Sequence, residues 1–163
     1  MLAYWLYRSR ALTQPYSRED SSIWLQSRER NPARGITGHL HRDELFYVQY
    51  IEGPIGPFSD ICQQIACDDR HCDIDTLLCG MTPVRRFSSW NMEFTDDALI
   101  SFDTFQKLRG EAKSLSKSAG PDILQFMDAV SRSDLFNHAI RERSLSDRSG
   151  SRSIVQTQPS AGP

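Results

Sequence analysis

Apolar and polar positions alternate along the first residues of the chain. Ala3, Trp5, Tyr7 and Ser9 fall on one face and Leu2, Tyr4 and Leu6 on the other, which predicts a first strand from Leu2 to Ser9. Ser17 to Asp20, following Pro15, has the form of an N-terminal capping box, so a helix is predicted from there to about Arg30 carrying Ile23 and Trp24. Gly35 to Arg42 and Leu45 to Glu52 read as two strands joined by a hairpin turn at Asp43-Glu44. Gly56-Pro57 opens a second helix in which Phe58, Ile61, Cys62, Ile65 and Ala66 recur at helical spacing. Asp73 to Met81 and Phe87 to Phe94 complete the strands, the last placing Trp90, Met92 and Phe94 on one face. The order is βαββαββ. Crossovers of helix length between strands of one sheet make this an α+β, ferredoxin-like plan with both helices on one sheet face. Two further amphipathic helices, Asp97 to Arg109 and Pro121 to about Asp134, are expected to cover the other face.

The pattern stops before the chain does. Arg141 to Pro163 holds six Ser and four Arg in 23 residues and almost no large apolar side chain, so it is expected to remain a disordered tail. The division expected is residues 1–95 as a sensory domain, 96–140 as a helical extension and 141–163 as the tail. A formal charge of −2 gives no general attraction to nucleic acid or anionic lipid. No apolar run approaches the roughly 20 residues of a membrane-spanning helix. Cys62, Cys67, Cys72 and Cys79 contain no C-x-x-C pair, and with no secretory signal ahead of them they are expected to be reduced thiols in a cytoplasm.

Candidate chemistry begins with polar residues in apolar strands. On the third strand both faces are apolar, yet Gln49 stands between Tyr47 and Ile51 on one of them, where an amide must find partners or cost a few kcal/mol. Tyr7 is likewise central in its strand. His39 and His41 share a strand face, and Cys67, His71 and Cys72 cluster, which invites a metal reading, but the spacings match no familiar zinc pattern and no metal site is expected.

Five scattered motifs occur in order: Tyr7-x-Ser9; Asn31 ahead of Gly35-Ile-Thr-Gly38; Tyr47-x-Gln49-x-Ile51-Glu-Gly53; Asp68-x-Arg70-His71; and Arg86-Phe87-x-x-Trp90-x-Met92. Together they resemble the BLUF family of flavin-binding blue-light sensors, over roughly residues 1–95. The resemblance implies one non-covalent flavin between the two helices, usually FAD, with FMN also compatible, and self-association through appended helices. It assigns Asn31 to the carbonyl and N3 edge of the flavin, Ile23 and Ile65 to its two faces, and Arg70 and His71 to its vicinity. It makes Tyr7 the electron and proton donor, Gln49 the hydrogen-bond relay, and Trp90 with Met92 the route outward. Core packing alone would also place both isoleucines, Trp90 and Met92 inward. The chain departs from the family at Arg30, where a second Asn is common, at Tyr47 in place of Phe, and at His39 and His41 in place of apolar residues.

Two other classes fit the sequence less well. A small ferredoxin-like acyl-phosphate hydrolase would need an anion-cradling loop after the first strand, and none is present. A single-strand nucleic-acid binder would need an aromatic and basic sheet surface, which the negative charge argues against. A non-catalytic sensor signalling to a partner protein, or through a homo-oligomer, is the expectation.

Overall fold

The structure, a computed structural model, describes residues 1–88 and 92–133. Leu2–Ala11 form β1, and Ser17 caps the helix α1, Arg18–Arg30, by accepting from the Asp20 amide through Oγ at 3.1 Å. Only half of the expected capping box forms. The Asp20 carboxylate does not return to Ser17 but accepts from the Tyr16 amide and from buried partners described below. A single 3-10 turn, Pro32–Arg34, ends at Gly35, whose φ of 62° lies in the left-handed region that a side chain would strain. Thr37–Arg42 make β2 and Phe46–Gly53 make β3. Asp43 closes their hairpin, its carboxylate accepting from the Leu45 and Phe46 amides, so the turn tip moves to Glu44-Leu45. Gly38 is needed in β2 because a Cβ there would sit 2.1 Å from the Tyr50 carbonyl oxygen.

Ile55–Ala66 form α2 after Pro54, with Ile61 buried and Phe58, Cys62 and Ile65 packed on the core; Ala66, the last expected inward position, is exposed. His71–Thr82 form β4 and Glu93–Asp96 form β5. The sheet order is β4-β1-β3-β2-β5, antiparallel except for the parallel β2–β5 pair. This is an α+β ferredoxin-like fold.

The fifth strand corrects the sequence reading, which began it at Phe87. The Glu52 carboxylate accepts from the Arg86 amide at 2.9 Å and the Phe87 amide at 2.8 Å, so those donors go to a buried side chain rather than to a strand ladder. Met92 therefore precedes β5 instead of lying within it, and Trp90 lies outside the described residues.

The third helix is also shorter than expected. Asp96 accepts from the Leu99 amide through both its backbone and its carboxylate, making a turn, and Ser101 then caps α3, Phe102–Leu108. After a 3-10 turn at Leu115–Lys117, α4 runs from Gly120 to Ser131. Residues 1–128 form one compact unit and a second begins at Ala129, within α4.

The sheet has two differently built faces. One packs Leu40, Tyr47, Ile51, Ile61 and Met92 under α1 and α2. On the other, Arg8 of β1 donates to the Leu115 carbonyl at 2.7 Å, and Phe126 of α4 stands edge-on to His41 of β2 with ring centres 4.8 Å apart.

Candidate functional site

Between α1 and α2, over the middle of the sheet, lies an open cleft of about 710 Å³ including its mouth. Tyr7, Gln49, Tyr47 and Leu40 contribute to its floor from three adjacent strands. Ile23 lines it from α1 and Ile65 from α2, both only half-buried, which leaves apolar surface on opposing walls. Asn31, at the C-cap of α1, has its backbone carbonyl engaged by the Arg34 and Ile36 amides while the residue lines the cleft.

Tyr7 and Gln49 are direct register partners in β1 and β3, so their side chains emerge together on one face. The Tyr7 hydroxyl donates to Gln49 Oε1 at 2.5 Å, and Gln49 Nε2 donates to Met92 Sδ at 3.4 Å. Burial, reinforced by the nearby Asp68 charge, pushes the Tyr7 phenol far above its ordinary range, so it is a neutral donor at physiological pH. The amide is oriented from both ends: its oxygen can only accept and its nitrogen can only donate.

Arg70 and His71 enter from the start of β4. The Arg70 guanidinium is held by Asp68 at 2.8 and 2.5 Å and donates to Ser22 Oγ of α1 at 2.7 Å, tying that edge of the cleft to the helix. His71 is bonded through Nε2 to the Ile65 carbonyl at 3.0 Å, while its buried Nδ1 has no hydrogen-bond partner among the described residues. Burial lowers its pKa, so the ring is neutral.

Sequence reasoning missed several lining residues, Arg34, Gln26 and Gln64, and quoted Asp68 only as part of a motif. It noted Arg30 only as a departure, although that residue also lines the cleft. Their signal was a run of long polar side chains at the end of one helix and the facing turn of the other. It also missed what holds Tyr47. That hydroxyl donates to Asp20 and bonds Thr13 Oγ1 at 2.6 Å, while Arg42, stacked on the Tyr47 ring, donates to Asp20 at 3.0 Å. Burial, with the hydrogen bond to Asp20, pushes the Tyr47 phenol up to about 12. The Tyr47 hydroxyl thus joins a buried ion pair, Asp20–Arg42, that fastens the start of α1 to the sheet.

His39 and His41 lie away from the cleft, fully buried on the opposite face and joined through Thr95. Among the described residues no group of three or more His, Cys, Asp or Glu side chains could hold a metal ion. None of their helices is long and apolar enough to cross a membrane.

A floor carrying a phenol–amide pair, between aliphatic walls, defines a site for a flat, polar-edged ring. The family model described as BLUF, sensors of blue-light using FAD, matches residues 2–93, and the chain belongs to that family. It is 33% identical over 97 residues to the blue light- and temperature-regulated antirepressor BluF of Escherichia coli K12, a match covering 59% of this chain and 24% of that protein. The chain thus spans about a quarter of that relative's length. It is similar to the dark-state structure of the BLUF protein BlrB, with 27% identity and a TM-score of 0.63 over 78% of this chain and 92% of that one. The photo-activated state of BlsA, 20% identical, shares the fold with a TM-score of 0.70 over 82% and 97% of the two chains.

Residues 2–93 thus belong to a family described as sensors of blue light, and FAD is that family's cofactor. The residues present fit such a group. The walls offer Ile23 and Ile65 to a ring, Asn31 and Gln49 offer amides to its edge, and Arg30, Arg34 and Arg70 offer cationic donors to phosphate.

Proposed function

We propose that Tyr7, Gln49 and Met92 are the working relay of this sensor, with Ile23, Asn31, Ile65, Arg70 and His71 holding the flavin. The observation that carries the reading is the unbroken sequence from the Tyr7 hydroxyl through the Gln49 amide to the Met92 sulfur. Bound flavin supplies blue-light absorption and the electron acceptor. Tyr7 is the donor side: as the phenol is oxidised, its Oη proton has Gln49 Oε1 as the acceptor already in place. The Gln49 amide can reverse its ends by rotation, or change them by tautomerisation, without moving the backbone. Either change alters what Met92 receives, because a thioether accepts only weakly and only from a donor.

Met92, with Trp90, carries the change outward in this reading, to α3 and α4 and from there to a partner protein or a second copy of the chain. Residues 1–95 act as the sensory domain and 96–140 as the output extension, in a cytoplasmic setting without catalytic turnover of their own. The remaining residues, 141–163, are left without a role. The test is an absorption spectrum of purified protein before and after blue light, followed by denaturation. A yellow protein that shifts reversibly to the red and releases intact flavin is expected. A colourless protein that also fails to bind added FAD or FMN overturns the reading.

A further inference from the structure

The face opposite the cleft contains a line of buried polar groups that do not line the cleft. His39 and Glu93 face each other across the parallel β2–β5 pair, as do His41 and Thr95. Thr95 Oγ1 lies 2.9 Å from His39 Nε2 and 2.9 Å from His41 Nδ1. At one end His39 Nδ1 is 3.7 Å from Glu93 Oε2, and at the other His41 Nε2 is 3.4 Å from Asp97 Oδ1. Both imidazoles and the Glu93 side chain are fully buried, whereas the Asp97 side chain is 37% exposed. The line therefore starts at a carboxyl sealed in the core and ends at one in contact with water.

We propose that Glu93, His39, Thr95 and His41 form a proton relay that stores a proton on Glu93 and exchanges it with solvent at Asp97.

The donor and acceptor count supports a directed chain. Thr95 has a single O–H, so of the two imidazole nitrogens bonding it, one can donate while the other accepts. One assignment satisfies the two central hydrogen bonds, His39 Nε2–H to Thr95 Oγ1 and Thr95 O–H to His41 Nδ1, and aims the two longer end contacts, Glu93 O–H towards His39 Nδ1 at 3.7 Å and His41 Nε2–H towards Asp97 at 3.4 Å, which a small approach would close. Neither Glu93 carboxyl oxygen has a hydrogen-bond partner among the described residues, and a buried bare carboxylate would be strongly disfavoured. Burial accordingly pushes Glu93 up to about 8, and burial with the neighbouring His41 lowers His39 to about 3, which keeps both neutral.

Among the described residues, aromatic rings pack on both histidines. Phe87 lies edge-on to His39 and Phe126 of α4 edge-on to His41. From β3, Val48 and Tyr50 are the register neighbours of the two histidines, and Glu52 spends its carboxylate on the Arg86 and Phe87 amides. Asp43 of the β2–β3 turn is in electrostatic reach of His41 and Asp97, at the solvent end.

Transfer balances as a concerted shift. Glu93 gives its proton to His39 Nδ1, His39 passes the Nε2 proton to Thr95, Thr95 passes its own to His41 Nδ1, and His41 releases the Nε2 proton to Asp97. Glu93 ends as carboxylate, Asp97 ends protonated and open to water, Thr95 keeps a hydroxyl, and each histidine exchanges tautomer. No redox partner is required.

The test is infrared spectroscopy of the full chain, following the C=O band of the protonated carboxyl that Glu93→Gln removes. In the wild type this band should persist through neutral pH and fade around pH 8. After a rapid pH jump it should disappear at least about tenfold more slowly in Thr95→Val, equivalent to about 1.4 kcal/mol of added barrier. Asp97→Asn, at the surface and without burden on the core, should slow it in the same direction and stands as the deciding variant if Thr95→Val fails to fold. A Glu93 already ionised well below pH 8, or loss of the band at the wild-type rate in the folded variants, overturns the relay.

Discussion

Replacing Glu93 by Gln should change how stability depends on pH, because burial holds its proton in the folded chain. In the unfolded chain Glu93 titrates near its ordinary 4.5 and His39 near 6.5; in the folded chain burial places them at about 8 and about 3. Each proton bound differently by the two states contributes about 1.4 kcal/mol per pH unit. Between pH 3 and 4.5 only His39 differs, the unfolded state holds the extra proton, and stability rises with pH. Between 4.5 and 6.5 the folded pair holds its proton on Glu93 and the unfolded pair on His39. The counts match there, and the two slopes cancel. Between 6.5 and 8 only Glu93 differs, the folded state holds the extra proton, and stability falls by about 2 kcal/mol over the window. Glu93→Gln keeps a donor towards His39 and removes the titration, so this alkaline fall should vanish. Urea unfolding of both proteins across pH 5 to 8, taken as a difference, cancels the contributions of the other titrating groups. A difference that stays flat from 6.5 to 8 would mean that Glu93 is ionised in the folded protein, and the argument fails.

Other substitutions probe the cleft. Tyr7→Phe should retain flavin and lose the light-induced red shift, since the ring still packs while the donor proton is gone; difference spectroscopy reads this, and an unchanged shift would contradict the relay. Gln49→Leu should also abolish the shift, and by stranding the buried Tyr7 hydroxyl it should cost about 1–3 kcal/mol in urea unfolding; an intact red shift in a flavin-loaded variant would refute it. Asp20→Asn leaves the buried Arg42 guanidinium without its counter-charge and should cost about 3–5 kcal/mol. Adding Arg42→Met should recover part of that loss, and no recovery would show that the two residues are not coupled.

What the sequence disclosed was mostly local. Ser17 announces α1 because an N-cap needs only the next three residues, and Phe58, Ile61, Cys62 and Ile65 announce α2 because helical spacing is itself the signal. Tyr7 and Gln49 stood out as polar groups in apolar strands and Asn31 through the family motif, and all three line one cleft. The start of the fifth strand was hidden because its displacement is decided by Glu52, a residue more than thirty positions away that captures two amides. Asp20 was read as a cap and turned out to be the acceptor for Tyr47 and Arg42, which only the docking of α1 on β2 and β3 reveals. The histidines looked like a metal hint because their partners, Glu93 and Thr95, come from a strand paired in parallel across the sheet.

That parallel pairing also bears on how a change at the cleft could leave it. Side chains of consecutive residues in extended chain project to opposite faces of a sheet. Met92 packs on the cleft side and receives the Gln49 amide, and the next residue, Glu93, faces His39 on the other side. A shift of Met92 by loss of its donor therefore acts on the same short backbone segment that sets the Glu93 to His39 separation. The 3.7 Å at that link is longer than a hydrogen bond, so a small displacement either closes it into one or widens it further. Such coupling requires only a modest difference between states: about 1.4 kcal/mol shifts a two-state ratio tenfold. Under the two proposals made above, light and proton concentration would act through one peptide unit, and His41 against Phe126 would present the outcome to α4.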